Sequence, residues 1–291
     1  MSNKRYLFHI KTYNDLDHMS PLIDIFLSKS ERVDILFLTF YDFKNDYRIK
    51  YFKKKYTNFR ILRVSFLQRL RRKIFLNSYV THLMSKNLFI NNIIRSFLNS
   101  FWKNIYLSTD IAALIYEWNF PEILNFNEGK YLGIPTFSLP HGLNIFINKD
   151  VNLPIRDYYL KFGSWPDFSR RNQFDYYIVQ SERHRQSLIL WGQDPKKVHA
   201  LGSARFHPDW IKLNLSILHG SKNKYLITKK IYDAKKHNNK LKIVFFLPHL
   251  NYNVKISAML KLLSKLSDNK NLFILLKTHT RNQSRSLSIF N

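Results

Sequence analysis

Residues 176–206 have the sequence YYIVQSERHRQSLILWGQDPKKVHALGSARF, in which two short apolar runs enclose one polar, periodic segment. The runs at 176–180 and 198–201 predict buried β-strands, and the segment at 182–191 predicts a helix between them. Ser181 is a favourable N-cap residue, and the glutamate that follows it suits the positive end of the helix dipole. The stretch therefore predicts one strand–helix–strand unit of a parallel sheet.

The same order of strand and helix extends toward the amino terminus. Ser20 followed by Pro21 indicates a helix entry, because a capping residue precedes a residue suited to the first turn. Apolar strands in this repeated order predict a doubly wound parallel α/β sheet, which binds ligands at the carboxyl ends of its strands. The predicted strands are 6–11, 33–40, 60–64, 111–116 and 136–139, and the predicted helices are 21–29, 66–105 and 121–131.

A polar, basic segment at 213–240 is typical of a linker between two domains. The sequence therefore predicts an amino-terminal domain at 1–212, this linker, and a partial second domain at 241–291. Because a doubly wound domain needs roughly 100 residues or more, the second domain is expected to be incomplete, completed by a partner chain, or a remnant. Its predicted elements are a strand at 242–247, a helix at 254–266 and a strand at 272–277.

The chain is strongly basic, since 47 Lys and Arg against 20 Asp and Glu give a net charge of +27. Residues 47–109 carry 14 basic residues and no acidic one, with apolar side chains at helical spacing, which suits anionic lipid headgroups. A solvated helix face is the alternative. No zinc-finger spacing or Gly/aromatic signature indicates nucleic acid. The apolar positions are Phe66, Leu67, Leu70 and Ile74, and the basic ones include Arg69, Arg71, Arg72 and Lys73.

Absent residues and motifs exclude several classes of protein. With no Cys, disulfides, thiolate metal sites and cysteine nucleophiles are excluded, and a reducing compartment is expected. Because no signal-peptide core or membrane-spanning run is found, we expect a cytoplasmic protein that lies peripherally on the inner face of a membrane. Glycine-rich dinucleotide and P-loop motifs and paired metal-ligand spacing are missing, so the sequence predicts no cofactor and no metal.

Candidate catalytic residues follow predicted strands. His141 and Gly142 follow the fifth strand, where an imidazole could act as a base and a glycine permits close approach of a ligand. Glu117 ends the fourth strand and could act as a general base or bind a sugar hydroxyl. His18 is expected in the loop after the first strand, facing the same cleft. For each of them a purely structural role is the alternative.

Candidate anion-binding residues follow two other predicted strands. After the last strand of the first domain, backbone amides, a hydroxyl and a bidentate guanidinium could meet a phosphate or carboxylate, and a plain turn is the alternative. After the last strand of the second domain, three donors within five residues could hold a nucleotide diphosphate. The two clusters are Gly202, Ser203 and Arg205, and Lys277, His279 and Arg281.

In their order and spacing these motifs resemble the GT-B glycosyltransferase superfamily. Within it they are most similar to the surface and capsular polysaccharide group near CDP-glycerol glycerophosphotransferases and UDP-N-acetylglucosamine 2-epimerases. The likeness runs from residue 5 to about residue 281. The motifs are Asp15-Leu-Asp-His18-Met-Ser-Pro21, Leu139-Pro-His141-Gly142, Tyr177-Ile-Val-Gln-Ser181-Glu182, Gly192 with Lys196-Lys-Val198, Leu201-Gly202-Ser203-Ala-Arg205-Phe206 and Lys277-Thr-His279-Thr-Arg281.

The resemblance implies a GT-B-like fold whose first domain is the acceptor side and whose second is the nucleotide side. It implies transfer of a glycosyl or glycerophosphate unit from a nucleotide-sugar or CDP-glycerol donor to a lipid-linked or polysaccharide acceptor. His141 would be the first choice of base and Glu117 the second. Lys277 and Arg281 would stabilise the leaving diphosphate. His249 stands where the epimerases place a functional histidine.

Two positions depart from the family pattern. The family usually has a Lys-x-His-Pro motif where this chain has Lys277-Thr-His279-Thr280, so Thr280 replaces the proline. The epimerases have an acidic residue two positions before the glycine of the first-domain loop, where this chain has Pro140. The second departure counts against the alternative of a nucleotide-sugar 2-epimerase. A non-catalytic remnant or binding subunit is the alternative from a different class. A homodimer is left open as a partner, and no nucleic acid is expected.

Overall fold

The structure is a computed structural model that describes residues 4–37, 43–62, 110–117, 132–140, 153–164, 167–219, 236–237, 239–247 and 255–277. The chain divides into two compact units. The first comprises Met1–Asn144 with Asp167–Ile217, and the second comprises Ile145–Pro166 with Leu218–Asn291.

The described residues form strands, α-helices and short 3₁₀ turns. The strands are β1 (Arg5–Ile10), β2 (Arg32–Phe37), β3 (Phe59–Leu62), β4 (Ile111–Glu117), β5 (Thr136–Leu139), β6 (Tyr176–Val179), β7 (Val198–Ala200), β8 (Leu241–Phe246) and β9 (Leu272–Lys277). The helices are α1 (Tyr13–Ser28), α2 (Tyr47–Lys55), α3 (Leu153–Phe162), α4 (Glu182–Leu190), α5 (Pro208–His219) and α6 (Ile256–Ser267). The 3₁₀ turns are Phe43–Asn45, Ser169–Gln173 and Ala204–Phe206.

Strands β1 to β7 form one parallel sheet in the first unit, in the order β3-β2-β1-β4-β5-β6-β7. The chain moves outward from β1 to β3 and then outward in the opposite direction from β4 to β7. Because strand crossovers are right-handed, this reversal places helices on both faces. The predicted doubly wound α/β sheet is thus confirmed, and every predicted strand of this domain overlaps an observed one. The predicted helices at 66–105 and 121–131 lie outside the described residues.

Helix α1 supplies much of the core on one face of this sheet. Its apolar side chains recur at helical spacing and are buried against β1 and β2. Burying one side chain of this size contributes about 1.5–3 kcal/mol, so helix and strands stabilise each other. The residues involved are Leu16, Met19, Ile23 and Leu27 on the helix and Phe8, Ile10, Val33 and Ile35 on the strands.

The predicted entry of this helix at Ser20 and Pro21 is wrong, because the helix begins at Tyr13. Thr12 caps it: the Thr12 hydroxyl accepts a hydrogen bond from the Asp15 N–H, and the Asp15 carboxylate accepts one from the Thr12 N–H. Pro21 lies inside the helix, where a proline removes one backbone hydrogen bond and costs roughly 3 kcal/mol. The buried apolar face outweighs this penalty.

The segment after β7 returns across the carboxyl edge of the sheet to α1. The turn Ala204–Phe206 packs against α1, and Trp210 of α5 joins the core that α1 and α2 share. The Tyr47 hydroxyl at the start of α2 donates a 3.0 Å hydrogen bond to Asn214. Residues from opposite ends of the sheet therefore meet. The predicted linker at 213–240 begins inside α5, and most of its remainder lies outside the described residues.

In the second unit, β8 and β9 form a parallel pair joined by α6. The strand–helix–strand order predicted for this region is confirmed, and the predicted bounds differ from the observed ones by at most two residues. The segment that contains α3 clusters with the same unit. Phe246 is 73% exposed and Val244 is 51% exposed, so no described residue covers that part of the pair.

Candidate active site

The carboxyl ends of the parallel strands meet at one edge of the first unit. β1 and β4 are neighbours there, but the chain leaves them in opposite directions, which opens a crevice at their ends. His9 of β1 and Tyr116 of β4 stack with ring centroids 4.1 Å apart, and both are fully buried. Because open α/β sheets bind ligands where the strand order reverses, this edge is the candidate site.

His18 and Arg205, two of the predicted site residues, meet at the same edge. The expectation that His18 lies in a loop is wrong, because the capping box places it inside α1, where it is 5% exposed. Arg205 Nη1 lies 3.4 Å from His18 Nε2. Because a guanidinium can only donate hydrogen bonds, Nε2 is the acceptor and the proton of the neutral imidazole lies on Nδ1.

Asp17 anchors this arginine. Asp17 Oδ2 lies 2.7 Å from Arg205 Nε, and Asp17 Oδ1 accepts a 2.8 Å hydrogen bond from Arg48 Nη1. Arg48 of α2 is buried and donates to Asp46 through Nε at 3.0 Å and Nη2 at 2.9 Å. Burial acts to lower the pKa of Arg48, but the hydrogen bonds and charge of Asp46 outweigh it and raise that pKa. One chain of ion pairs thus joins α2, α1 and the segment after β7.

Glu117 is the last residue of β4 and is 5% exposed, and the sheet register pairs it with Leu139. Tyr177 on β6 is also buried, and Arg171 Nη1 donates a 3.2 Å hydrogen bond to its hydroxyl. Burial raises the pKa of Tyr177 to about 12, and the charge of Glu117 adds to the shift. Tyr177 therefore stays protonated at neutral pH and does not act as a base.

Sequence reasoning missed the buried polar residues around this edge. A signal was present for His9, Tyr116 and Tyr177, because each places a polar atom in an otherwise apolar strand, and a polar atom buried there is normally hydrogen-bonded. Arg171, which donates a hydrogen bond to Tyr177, lies in the 3₁₀ turn Ser169–Gln173, where no such pattern marks it. The missed residues are His9 on β1, Tyr116 on β4, Tyr177 on β6 and Arg171 before β6.

No sequence-family profile and no curated protein matches the chain. Solved structures do match it. The UDP-GlcNAc 2-epimerase from Neisseria meningitidis bound to UDP-GlcNAc has a TM-score of 0.57 at 13% identity, over 98% of this chain and 68% of that one. A glycosyltransferase from Rickettsia africae has a TM-score of 0.55 at 10% identity, over 99% and 64%. The UDP-N-acetylglucosamine 2-epimerase from Rickettsia bellii has 0.52 at 16% identity, over 97% and 64%. The chain has the GT-B fold.

This GT-B chain spans about two thirds of the length of the solved proteins that it matches, between 64% and 68% for these three. Among the described residues, the first unit contains a seven-stranded doubly wound sheet, and the second contains α3 and the β8–α6–β9 unit. The predicted GT-B-like α/β fold is therefore confirmed. Membership of the surface-polysaccharide group stays a prediction.

The turn after β7 aims Arg205 at α1. Gly202 has a φ of +85°, in the left-handed region that favours glycine, and its N–H donates a 3.1 Å hydrogen bond to the Val179 carbonyl. Ser203 immediately precedes the 3₁₀ turn Ala204–Phe206. These conformations direct the chain from β7 back toward α1.

The remaining predicted site residues lie in the second unit or outside the described residues. Lys277 is exposed at the end of β9 in the second unit, where its carbonyl accepts a 2.9 Å hydrogen bond from the Leu247 N–H. The candidates outside the described residues are His141, Gly142, His249, His279 and Arg281.

The described part of the chain lacks two features. No helix there is both long and apolar enough to cross a membrane. The same residues include no group of three or more His, Cys, Asp or Glu side chains that could hold a metal ion.

Proposed function

We propose that this GT-B protein is a glycosyltransferase of cell-surface polysaccharide biosynthesis, which transfers a glycosyl or glycerophosphate unit from a nucleotide-activated donor. The observation that carries the proposal is the meeting of His18 and Arg205 at the carboxyl edge where Glu117 ends β4. An imidazole, a guanidinium and a carboxylate supply the proton acceptors and the anion-binding group that such a transfer needs. Two proteins of this fold support a nucleotide-sugar donor: one is a glycosyltransferase, and the other is an epimerase that was solved with UDP-GlcNAc bound.

The transfer needs a base for the acceptor hydroxyl. The base takes the hydroxyl proton as the oxygen bonds to the transferred carbon or phosphorus and the bond to the leaving nucleotide breaks. His141 is the first choice, because it follows β5 in the sequence, and Glu117 is the second, because it ends β4. His18 Nε2 already accepts a hydrogen bond from Arg205, so His18 acts as a base only after Arg205 turns away.

We assign the donor phosphates to the cluster that begins at the end of β9. Lys277, His279 and Arg281 supply charge-assisted donors that stabilise the leaving nucleotide. Because the described sheet of the second unit has two strands, β8 and β9, we expect this 291-residue chain to bind UDP-GlcNAc or CDP-glycerol with a Kd in the ~mM range, about 4 kcal/mol of binding free energy. Isothermal titration measures it. A micromolar Kd would show instead a complete donor site, as a homodimer could provide.

The shared fold of the solved UDP-GlcNAc 2-epimerases supports a second candidate, a 2-epimerase-like enzyme. The two functions differ in their need for an acceptor, so a panel of UDP and CDP donors is incubated with and without acceptor glycans. Release of nucleotide that depends on acceptor supports the transferase. Conversion of UDP-GlcNAc to its 2-epimer with no acceptor supports the epimerase. A chain that binds donor but does neither would be a non-catalytic binding subunit.

We further propose that the protein works peripherally on the cytoplasmic face of a membrane. Helix α2, the described helix of the acid-free region 47–109, exposes Lys50, Lys53 and Lys54 and buries Phe52. Lysines near an anionic bilayer each contribute about 1 kcal/mol, and the attraction is screened by salt. The exposed lysines of α2 therefore support a membrane-facing surface.

Reversing the charge of Lys50, Lys53 and Lys54 to Glu is expected to weaken sedimentation with anionic vesicles at least tenfold at low salt, because three attractive charges become repulsive. Neutral vesicles should bind neither protein. A matched control reverses three exposed basic residues elsewhere in the first unit, and it should retain most vesicle binding. Equal loss in both triple variants would mean that net charge alone matters. The control residues are Arg183, Lys196 and Lys212.

A further inference from the structure

The ion pair between Asp17 and Arg205 fixes how the guanidinium is presented. Arg205 Nε is paired with Asp17, and Nη1 lies 3.4 Å from His18 Nε2. Among the described residues, none forms a hydrogen bond with Nη2. The Arg205 side chain is 40% exposed, which allows a dissolved ligand to reach it. A planar guanidinium with an accessible terminal edge is suited to bidentate binding of a phosphate or carboxylate.

The anchor behind this arginine is held by further ion pairs. Arg48 holds the second oxygen of Asp17, and Asp46 holds Arg48 by two hydrogen bonds. The side chains of Arg48 and Asp46 are each only 6% exposed. Because the Nε atom of Arg205 is held by this chain of ion pairs, the arginine loses less conformational freedom when it binds a ligand.

We propose that Asp17 is a positioning residue which sets Arg205 beside His18, and that the Arg205 guanidinium binds a phosphate or carboxylate carried by the acceptor. The inference rests on the proposed function and names its substrate class, an anionic acceptor. The site is on the acceptor side, because Arg205 and His18 both lie in the first unit, whereas the donor phosphates are assigned to the cluster after β9. A neutral sugar would leave the guanidinium edge without a charged partner.

The test titrates four probes into the full chain labelled with ¹⁵N-histidine. Glucose 1-phosphate carries a phosphate on a sugar, glucuronate carries a carboxylate on a sugar, and geranyl diphosphate carries a diphosphate on a lipid. Glucose is the neutral comparison. We expect at least one anionic probe to shift the His18 resonances saturably, and glucose not to shift them. The His18→Gln variant identifies those resonances. The probe that binds most tightly distinguishes a phosphate from a carboxylate and a soluble acceptor from a lipid-linked one.

Variants then separate positioning from bulk charge. Arg205→Met should weaken binding of the anionic probe more than tenfold. Asp17→Asn should weaken that binding about fivefold and leave the melting temperature unchanged. Two matched changes at exposed residues, Asp209→Asn and Arg183→Met, should leave the dissociation constant unchanged. If Asp17→Asn does not fold, Asp17→Glu takes its place, since it keeps the charge but displaces the anchor, and it should also weaken binding.

The outcomes are distinct. Unchanged affinity in Arg205→Met, or glucose binding as tight as glucose 1-phosphate, overturns the anionic acceptor. Unchanged affinity in a folded Asp17 variant overturns the positioning role. A separate titration with UDP-GlcNAc tests the proposed function by itself: failure of the wild type to bind or turn over any donor contradicts the transferase, while the response of the anionic probe to Arg205→Met stands independently.

Discussion

His141→Ala is expected to lower the rate constant for transfer by about 10²- to 10⁴-fold, the range by which a positioned general base accelerates such reactions. His141 immediately follows Pro140, which comes directly after β5 at the edge where His18 and Arg205 meet. A residue that follows the carboxyl end of a strand contributes little packing, so the melting temperature should change little. Steady-state transfer with a saturating donor and a thermal melt measure the two effects.

The control for this variant is His207→Ala, because His207 follows the turn after β7 and its side chain is 61% exposed. It should keep wild-type turnover. If His141→Ala also keeps it, the base is elsewhere, and Glu117→Gln becomes the decisive variant. A large fall in the melting temperature of His141→Ala would instead assign that residue a structural role.

The strands were predictable because each is an apolar run bounded by polar residues, and the observed β5 and β9 have the predicted bounds. The start of α1 was not predictable in the same way. Two pairs of capping residues compete in that stretch, Thr12 with Asp15 and Ser20 with Pro21. The helix begins at the first pair because the additional turns bury Leu16 against the sheet. That burial is a tertiary effect, which local patterns do not contain.

The candidate site shows the same division between local and tertiary information. His18, Glu117 and Arg205 could each be chosen by residue type and position after a strand. The contact between His18 and Arg205 spans 187 positions and depends on the chain returning across the sheet edge after β7. Asp17 gave no signal of its own, because its importance comes from two arginines on distant segments. The sequence therefore identifies the groups, and packing decides which of them meet.

Arg5→Met is expected to lower the free energy of unfolding by about 3–5 kcal/mol, the usual effect of breaking a buried ion pair from one side. Arg5 of β1 and Asp34 of β2 form an ion pair with side chains only 7% and 3% exposed. Methionine retains much of the volume of arginine but not its charge. The Asp34 carboxylate then keeps Arg60 of β3 as its ion-pair partner, and the Arg60 side chain is 57% exposed. Urea denaturation followed by circular dichroism measures the difference.

Dependence on pH separates the lost charge from lost packing. Burial raises the pKa of Asp34 to about 6, against the smaller opposing attraction of Arg32. A carboxyl group whose pKa rises on folding contributes stability below its ordinary pKa, and that contribution is lost as the pH rises through about 6. The deficit of Arg5→Met should therefore be larger at pH 8 than at pH 5, where a proton neutralises Asp34. Arg60→Met removes the exposed partner and should cost about 1 kcal/mol or less. An equal deficit at both pH values would mean that Arg5 stabilises the sheet through its stem and not through its charge.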